Sequence, residues 1–461
     1  MKKPNIIIFI TDDQGYGDLS CMGSPDFRTP HLDRLAAEGA RFTSWYANSP
    51  VCSPSRAALL TGRYPGNAGV RAILAGHRTA SGLPQHVPSL AAALKALGYQ
   101  TALFGKWHLG LAPGSRPQDH GFDESFGFMA GCVDYYSHIF YWGMNHPGPG
   151  INPTHDLWQN GAETWEHNGH YLTDLITEKA VEYIRSAAQG DQPFFTYIAY
   201  NAPHYPMHAP QKYTSRFAHL PWERQIMAAM ISAVDDGVGE ILAELERQNA
   251  RQDTLIFFMS DNGPSRETRN WLDGTLTPYY GGATGGFKGH KFSLFEGGVR
   301  VPGILCLPGR IPAGQVIDTP CAAMDVFPTV LRLAGGDPSQ YALDGIDLMP
   351  MLASGNPLPA RDLFWEMERQ TSIRRGDWKL TLNGQLVESE PAQDAVFLAN
   401  LKDDPYERSN LADQQPALAA ELRAAAESWR AAIEARWQEE FLPALKGTTS
   451  LEILNPGSAG R

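Results

Sequence analysis

The stretch Asn5-Ile6-Ile7-Ile8-Phe9-Ile10-Thr11-Asp12-Asp13-Gln14-Gly15-Tyr16-Gly17-Asp18 joins a short apolar run directly to acidic residues. An uninterrupted run of this length, rich in β-branched residues, predicts a strand that is buried on both faces, as in a parallel sheet covered by helices. Asp12 and Asp13 then lie at the carboxyl end of that strand, where open α/β folds bind their ligands. The stretch therefore predicts an α/β fold with a polar site at the end of its first strand.

Similar runs recur along the chain and alternate with stretches of helical periodicity. We expect further strands at 100–104, 193–200, 254–259 and 302–307, and helices at 31–39, 89–98, 171–188 and 222–248. This alternation is typical of a mixed or parallel sheet between layers of helices. The predicted core is thus a large mixed, mostly parallel sheet sandwiched by helices.

The pattern changes after residue 334. Ala334-Gly335-Gly336-Asp337-Pro338 and a Pro-rich stretch at 356–359 interrupt it, so we predict a large α/β domain over 1–345 and a smaller domain over 346–461. The smaller part has strand-like pieces at 371–382 and 395–401, followed by an amphipathic run at 416–437. These pieces predict a small α+β domain, with an antiparallel sheet and a helix.

Composition narrows the classes of partner. The 461 residues carry a net charge of −12, which disfavours binding to nucleic acid or to an anionic membrane because the long-range field is repulsive. An anionic substrate would therefore need a local basic pocket. The five scattered cysteines show no metal-type spacing, so reduced thiols are expected.

Targeting signals are weak. The five-residue apolar run after Lys2 and Lys3 is too short for the apolar region of a secretion signal, and no run approaches a membrane span. We expect a cytoplasmic protein that does not insert into membranes, while an exported form with its signal already removed stays open.

A second informative stretch is Cys52-Ser53-Pro54-Ser55-Arg56-Ala57-Ala58-Leu59-Leu60-Thr61-Gly62-Arg63. A small buried thiol before a helix, with Ser53 or Ser55 as cap and Pro54 in the first turn, explains the serines and the proline. It does not explain Arg56. A cation at a helix N-terminus, where the dipole already favours anions, predicts a pocket for a tetraoxo anion such as sulfate or phosphate.

A third stretch repeats the pattern of the first. Phe257-Phe258-Met259-Ser260-Asp261-Asn262-Gly263 is again an apolar run that ends in an acid and an amide. Together with Asp12 and Asp13, these side chains would form an all-oxygen shell, which suits calcium or magnesium better than zinc. The sequence by itself does not establish that the two strand ends meet.

The 52–63 string resembles the type I sulfatase signature, CxPSRxxxLTGR, and Gly105-Lys106-Trp107-His108-Leu109-Gly110 resembles the second signature of that family. The resemblance implies conversion of Cys52 to formylglycine and one divalent cation, with Ca²⁺ as the first choice and Mg²⁺ open, within an alkaline phosphatase superfamily fold. It further implies a set of metal ligands and a set of catalytic residues. The metal ligands are Asp12, Asp13, Asp261, Asn262 and Cys52, and the catalytic residues are Cys52, Arg56, Lys106, His108, His204 and Lys291.

Two of those residues come from further matches. His204 lies in Asn201-Ala202-Pro203-His204, and Lys291 lies five residues before Glu296-Gly297-Gly298, as the family spacing requires. Lys288 is expected to be a loop charge, and His208 is left open as a residue of a substrate subsite. The segments 373–380 and 401–411 also resemble the sulfatase C-terminal region.

The resemblance implies hydrolysis of a sulfate monoester, on a small molecule or a saccharide, after maturation by a formylglycine-generating enzyme. Two alternatives stay open: a phosphonate monoester or phosphodiester hydrolase of the same fold, and a non-catalytic protein that binds sulfated glycans. The loops 71–79, 134–146, 156–166 and 266–280 are rich in aromatic and charged residues. Either substrate contact or packing explains them.

Overall fold

A computed structural model of the chain describes residues 2–140, 154–266 and 280–445. The eighteen strands within these ranges are β1 Asn5–Thr11, β2 Ala40–Phe42, β3 Trp45–Tyr46, β4 Gln100–Lys106, β5 Glu124–Phe128, β6 Ile139–Phe140, β7 Thr154–His155, β8 Trp158–Gln159, β9 Ala162–Glu163, β10 Phe194–Ala199, β11 Thr254–Ser260, β12 Gly303–Cys306, β13 Gln315–Ile317, β14 Cys321–Ala322, β15 Asp362–Met367, β16 Gln370–Arg375, β17 Trp378–Gly384 and β18 Asp394–Asn400.

The α-helices within the same ranges are α1 Pro30–Glu38, α2 Cys52–Thr61, α3 Pro65–Ala68, α4 Leu90–Ala96, α5 Leu172–Ala187, α6 Gln211–Thr214, α7 Trp222–Arg247, α8 Glu296–Val299, α9 Val326–Leu333, α10 Met349–Ser354, α11 Pro416–Arg436 and α12 Leu442–Leu445. The predicted helices agree with these bounds to within a residue or two. Across the described residues, no helix combines the length and the apolarity that crossing a membrane requires.

Ten strands form one sheet in the order β13-β2-β12-β11-β1-β10-β4-β5-β8-β9. The five central strands, from β11 to β5, run parallel, and β12, β8 and β9 add antiparallel pairs toward the edges. The prediction of a large mixed, mostly parallel sheet covered by helices is confirmed. The predicted strands at 193–200 and 302–307 are each shorter by a residue at both ends.

Strand β1 lies at the centre of this sheet and contributes to two cores. Ile8 pairs with Tyr197 on β10 and with Phe257 on β11. Ile7 and Phe9 pack into one hydrophobic core, whereas Ile6, Ile8 and Ile10 pack into the core on the opposite face. A strand with both faces covered has no polar positions until it ends, which is why its first acid is Asp12.

The C-terminal part contains a four-stranded antiparallel sheet, β15-β16-β17-β18, against which α11 packs. The predicted antiparallel sheet with a helix is confirmed. One detail of the prediction is wrong, because 371–382 is not one strand but two. Gly376, with φ of 57°, turns the chain between Arg375 and Trp378, and β16 and β17 then pair as an antiparallel hairpin.

This C-terminal sheet touches the large sheet's loops through buried polar contacts. The indole nitrogen of Trp365 donates to the Ala47 carbonyl at 2.8 Å, and Lys379 Nζ lies 2.8 Å from Glu296 Oε1. The boundary between residues 345 and 346 stays a prediction.

Candidate active site

Four strand ends converge at the carboxyl edge of the large sheet. The Asp261 amide after β11 donates to the Thr11 carbonyl at 3.0 Å, and the Asp12 amide donates to the Ala202 carbonyl after β10 at 3.2 Å. Lys106 is the last residue of β4, next to β10. The two acidic strand ends that the sequence could not connect therefore lie side by side, as neighbouring parallel strands require.

Each acid at this edge is paired with a cation, and all six side chains are buried. Lys106 Nζ lies 2.6 Å from Asp12 Oδ2, and Lys291 Nζ lies 2.8 Å from Asp13 Oδ2. The Arg56 guanidinium donates to Asp261 Oδ2 from Nη2 at 2.7 Å and from Nε at 3.0 Å. Three carboxylates and three cations thus share one buried cluster.

Helix α2 brings Cys52 and Arg56 into this cluster. The helix begins at Cys52 itself, with Val51 as N-cap residue and no side-chain cap, so the expected cap by Ser53 or Ser55 is wrong. Ser53 lies inside the helix, where its hydroxyl accepts a hydrogen bond from the Leu74 amide at 3.1 Å. The Cys52 side chain is buried, and burial raises the pKa of its thiol.

Arg56, one turn further along α2, is held by protein groups. Besides its two bonds to Asp261, its Nη1 donates to the Lys106 carbonyl at 3.3 Å. Burial opposes the charge of the guanidinium, but the Asp261 and Asp12 carboxylates outweigh that effect and raise the pKa of Arg56. The contact seen here positions Asp261, and a contact of Arg56 with a substrate anion stays a prediction.

The donor set fits a hard cation. Asp12 Oδ1 and Asn262 Oδ1 are buried and have no hydrogen-bond partner among the described residues. Asp12, Asp261 and Cys52 offer ligand atoms within 4.8 Å of one another. Burial and the neighbouring Asp12 raise the pKa of Asp261 to about 6, because a second buried carboxylate is costly without a cation. Asp13 differs: burial alone would raise its pKa, but Lys291 and His204 lower it to about 2.

Lys106 and His108 depend on an unusual backbone. Gly105 has φ of +109°, and a Cβ there would lie 1.9 Å from the Ala199 carbonyl oxygen, so only glycine lets β4 approach β10 at this point. His108 follows with a positive φ of 53°. Its Nε2 lies 3.1 Å from the Leu74 carbonyl and donates to it, whereas its Nδ1 has no partner within the described part of the chain.

The imidazole of His108 is neutral near pH 7, because burial and the nearby Lys106 and Arg56 charges hold its pKa well below the usual range. With Nε2 carrying the proton, Nδ1 offers a lone pair. His108 is therefore suited to accept a proton rather than to donate one.

His204 and Lys291 face the same carboxylate. His204 Nε2 lies 3.6 Å from Asp13 Oδ2, and its Nδ1 donates to the Tyr205 carbonyl at 2.5 Å. Burial, reinforced by the Lys291 charge, lowers the pKa of His204 to about 4. Both predicted residues therefore join the cluster, and His204 is neutral near pH 7.

Tyr135 is a supporting residue that sequence reasoning missed. Its buried hydroxyl lies 2.9 Å from the Asn201 carbonyl and 2.8 Å from the His204 carbonyl, so it braces the segment that carries His204. Tyr135 lies in a run of aromatic residues, and nothing in the sequence distinguishes it from its neighbours.

Two residues outside the predicted catalytic set have clear positions. Lys288 Nζ lies over the rings of Phe295 and Phe397, at 4.2 and 3.8 Å from their centroids, away from the acids. His208 Nδ1 lies 3.3 Å from Asp134 Oδ2. Of the loops singled out in the sequence, residues 141–146 and 267–279 lie outside the described residues.

Comparison with known proteins shows the family of this chain. The family model described as Sulfatase matches residues 4–336, and the enzyme is a hydrolase of sulfate esters. The chain belongs to the sulfatase family. It is 35% identical over 396 residues to N-acetylgalactosamine-6-sulfatase of Mus musculus, covering 83% of this chain and 72% of the relative.

Two further proteins show the extent of the similarity. Arylsulfatase A of Bos taurus is 31% identical over 459 residues, covering 91% of this chain and 85% of that enzyme. The crystal structure of Ps i-CgsB in complex with k-i-k-neocarrahexaose superposes with a TM-score of 0.81 at 33% identity, covering 93% of each chain.

Proposed function

We propose that the enzyme hydrolyses a sulfate monoester on a saccharide, using formylglycine derived from Cys52 and one divalent cation. The observation that carries the proposal is the position of Cys52, whose side chain lies at the start of α2 within 4.8 Å of ligand oxygens of Asp12 and Asp261. The cations of the same buried cluster surround this point, so an anionic ester is drawn to the residue that would attack it.

Asp12, Asp13, Asp261 and Asn262 would hold the cation, with residue 52 completing the shell. The fixed ligands are all oxygens, and Asp12 Oδ1 and Asn262 Oδ1 have no hydrogen-bond partner among the described residues, which suits a hard cation; we propose Ca²⁺ as the first choice and Mg²⁺ as the second. When bound, the cation polarises oxygen atoms next to it and adds positive charge. The thiol of Cys52 is the one soft atom in this ligand set, and its conversion would replace sulfur with oxygen.

Formylglycine would supply a hydrated aldehyde with two hydroxyls. The first would bond to sulfur and give its proton to Asp261 as the S–O bond to the alcohol breaks. The second would lose its proton and re-form the aldehyde as the C–O bond to sulfate breaks. The protein's own side chains balance the charge. Asp12, Asp13 and Asp261 are matched one for one by Lys106, Lys291 and Arg56. A divalent cation therefore leaves the cluster with excess positive charge, which favours an anionic substrate in a protein whose net charge is −12.

The proposed proton transfers depend on the protonation states of three side chains, Lys291, His204 and His108. Lys291 holds a proton beside Asp13 and would donate it to the leaving oxygen of the alcohol. His204 is neutral, and the hydrogen bond from its Nδ1 to the Tyr205 carbonyl would hold its ring in place on the side of the site where Lys291 lies. His108 would accept the proton of the second hydroxyl at Nδ1, since this atom has no partner within the described chain.

The relatives support a saccharide substrate. One is named for N-acetylgalactosamine 6-sulfate chemistry, and another was solved with a bound hexasaccharide. Maturation would require a formylglycine-generating enzyme as partner.

The proposal is tested by the variant Cys52→Ser, which has one hydroxyl and cannot form a hydrate. We expect it to lose turnover of an aryl sulfate, or to accumulate a sulfate ester on residue 52 after a single event. Cys21→Ser is the matched control because Cys21 is half-buried and its charged neighbours are Asp33 and Arg41 rather than the residues of the cluster. Multiple turnovers of Cys52→Ser at a near-normal rate would refute the proposal.

Two measurements separate the alternatives. A wild-type initial rate on an aryl phosphonate that exceeds the rate on the matching aryl sulfate would favour a phosphonate monoester hydrolase. Tight binding of a sulfated saccharide by a protein that hydrolyses neither ester would favour a non-catalytic binder.

A further inference from the structure

Trp165 is a large aromatic side chain that the fold leaves in solvent. It is 57% exposed and follows β9, the strand at one edge of the large sheet. One face of its indole is covered, because the ring of His155 stacks on it at a centroid distance of 3.7 Å and an interplanar angle of 16°. The exposed area therefore belongs to the opposite face and the ring edge.

The support beneath Trp165 is fixed. His155 is 5% exposed, and its Nε2 lies 3.1 Å from Asn168 Oδ1. Its main chain pairs with Ile139 across the β6–β7 ribbon. An aromatic ring that is already immobilised loses little conformational entropy when a ligand stacks on it, so the exposed face is preorganised for contact.

Trp165 lies at the same edge of the sheet as the catalytic cluster. The segment from Thr164 follows β9 back to this edge, where the Thr164 amide donates to the Leu157 carbonyl at 2.9 Å. The sheet order from Lys106 outward is β4-β5-β8-β9, which is three strand spacings, or about 14 Å.

A chain of contacts joins the two places. Leu74 bonds to both Ser53 and His108 beside the catalytic cluster. Two residues later Gly76 abuts the Phe140 ring, because a Cβ at Gly76 would lie 2.5 Å from it. Phe140 pairs with Thr154, the residue before His155. These contacts connect the surroundings of residue 52 to the Trp165 platform, defined as Trp165 stacked on His155.

We propose that the outer face of Trp165 is a stacking subsite for a pyranose ring of a saccharide chain, distal to the sugar whose sulfate is removed. Sugar rings present apolar C–H faces that pack on flat aromatic surfaces. Strand β9, which the platform follows, lies about 14 Å, or three strand spacings, from β4, the strand that ends at Lys106, and one pyranose ring is shorter than this separation. The substrate is therefore an oligosaccharide or polysaccharide, and this inference rests on the proposed function.

The test uses inhibition of nitrophenyl sulfate hydrolysis by a size series of sulfated galactan oligosaccharides, from disaccharide to hexasaccharide. The variants are Trp165→Ala, Trp165→Phe as the conservative change, and Trp222→Ala as a comparator. Trp222 is equally exposed, at 62%, but begins helix α7 on a different element.

In the wild type and in Trp222→Ala, we expect the inhibition constant to fall as the oligosaccharide lengthens. In Trp165→Ala the constant for the hexasaccharide should rise about two- to tenfold, the range of one aromatic stacking contact, while that for the disaccharide stays unchanged. Trp165→Phe should restore most of the difference. The KM for nitrophenyl sulfate should be the same in all four proteins, because this substrate does not reach the platform.

Three results would overturn the subsite: no dependence on length in the wild type, the same dependence in Trp165→Ala, or a loss in Trp222→Ala instead. Failure of the wild type to hydrolyse nitrophenyl sulfate at all would instead count against the proposed function. The two failures are therefore distinguishable.

Discussion

Lys291 offers the sharpest test of how the site handles protons. Its Nζ lies 2.8 Å from Asp13 Oδ2 and is 7% exposed, so it acts in a region largely closed to water. His204, with its pKa lowered to about 4 by burial and by Lys291, is neutral near pH 7, and its one ring proton is donated to the Tyr205 carbonyl. The donor for the leaving oxygen should therefore be Lys291, and Lys291→Met removes that donor without changing the length of the side chain much.

The expected loss depends on the leaving group. A unit charge about 4 Å from the leaving oxygen is worth about 4 kcal/mol at an effective dielectric constant near 20, which sets a ceiling of about a thousandfold. Proton donation typically contributes about 10²–10⁴-fold, and only when the leaving oxygen is strongly basic. We expect kcat/KM of Lys291→Met to fall about a hundred- to a thousandfold for a saccharide sulfate, and at least tenfold less for nitrophenyl sulfate.

The assay compares kcat/KM for the two substrates in the wild type, in Lys291→Met and in Lys288→Met. Lys288 is the matched control because it lies three residues earlier and packs on Phe295 and Phe397. Thermal unfolding verifies that each variant is folded. Equal losses of kcat/KM on both substrates would show that Lys291 contributes charge alone. A loss of the same size in Lys288→Met would contradict the role of Lys291 as the proton donor.

Three further predictions concern the cation and the fold. Treatment with a chelator should abolish activity reversibly, with Ca²⁺ restoring more of it than Mg²⁺; activity that survives exhaustive chelation contradicts the proposed ligand set. Gly105→Ala should destabilise the protein against urea by at least about 2 kcal/mol more than Gly98→Ala, because both have positive φ but only the Gly105 Cβ would meet backbone. Burial, only partly offset by Lys379, raises the pKa of Glu407 from 4.5 to about 7. Between these two pH values the folded protein binds a proton that the unfolded chain does not bind, so the contribution of Glu407 to the free energy of unfolding falls as pH rises from 4.5 to 7. In Glu407→Gln the free energy of unfolding, measured with urea, should change less with pH between 4.5 and 7. An unchanged pH dependence would show that other groups cause it.

The large sheet was predictable because its strands are buried on both faces. Runs such as those at β1 and β11 contain no polar interruption, and the acid that ends each of them marks the carboxyl edge. The sequence pattern predicts neither strand β15 nor the hairpin at Gly376. The central strands of this sheet are buried yet carry polar and charged residues such as Arg374 and Lys379, which weakens the apolar pattern, and a single glycine decides where the chain reverses.

The sequence predicts which residues belong to the candidate site, but not which carboxylate each cation contacts. Motif resemblance brought Lys106 and Lys291 into it, yet only the structure shows which carboxylate each lysine contacts. The buried ion network in which Lys379 lies between Glu296 and Glu407 joins residues from three distant parts of the chain. Such contacts depend on tertiary packing, and no local periodicity encodes them.

The most direct test of the central claim is the mass of the tryptic peptide from Phe42 to Arg56, isolated from catalytically active protein. Conversion of Cys52 to formylglycine replaces sulfur and two hydrogens by one oxygen, so the peptide becomes lighter. The account predicts that the converted fraction is substantial and that specific activity rises in proportion to it across preparations. Full activity in protein whose peptide carries only the intact thiol would contradict it.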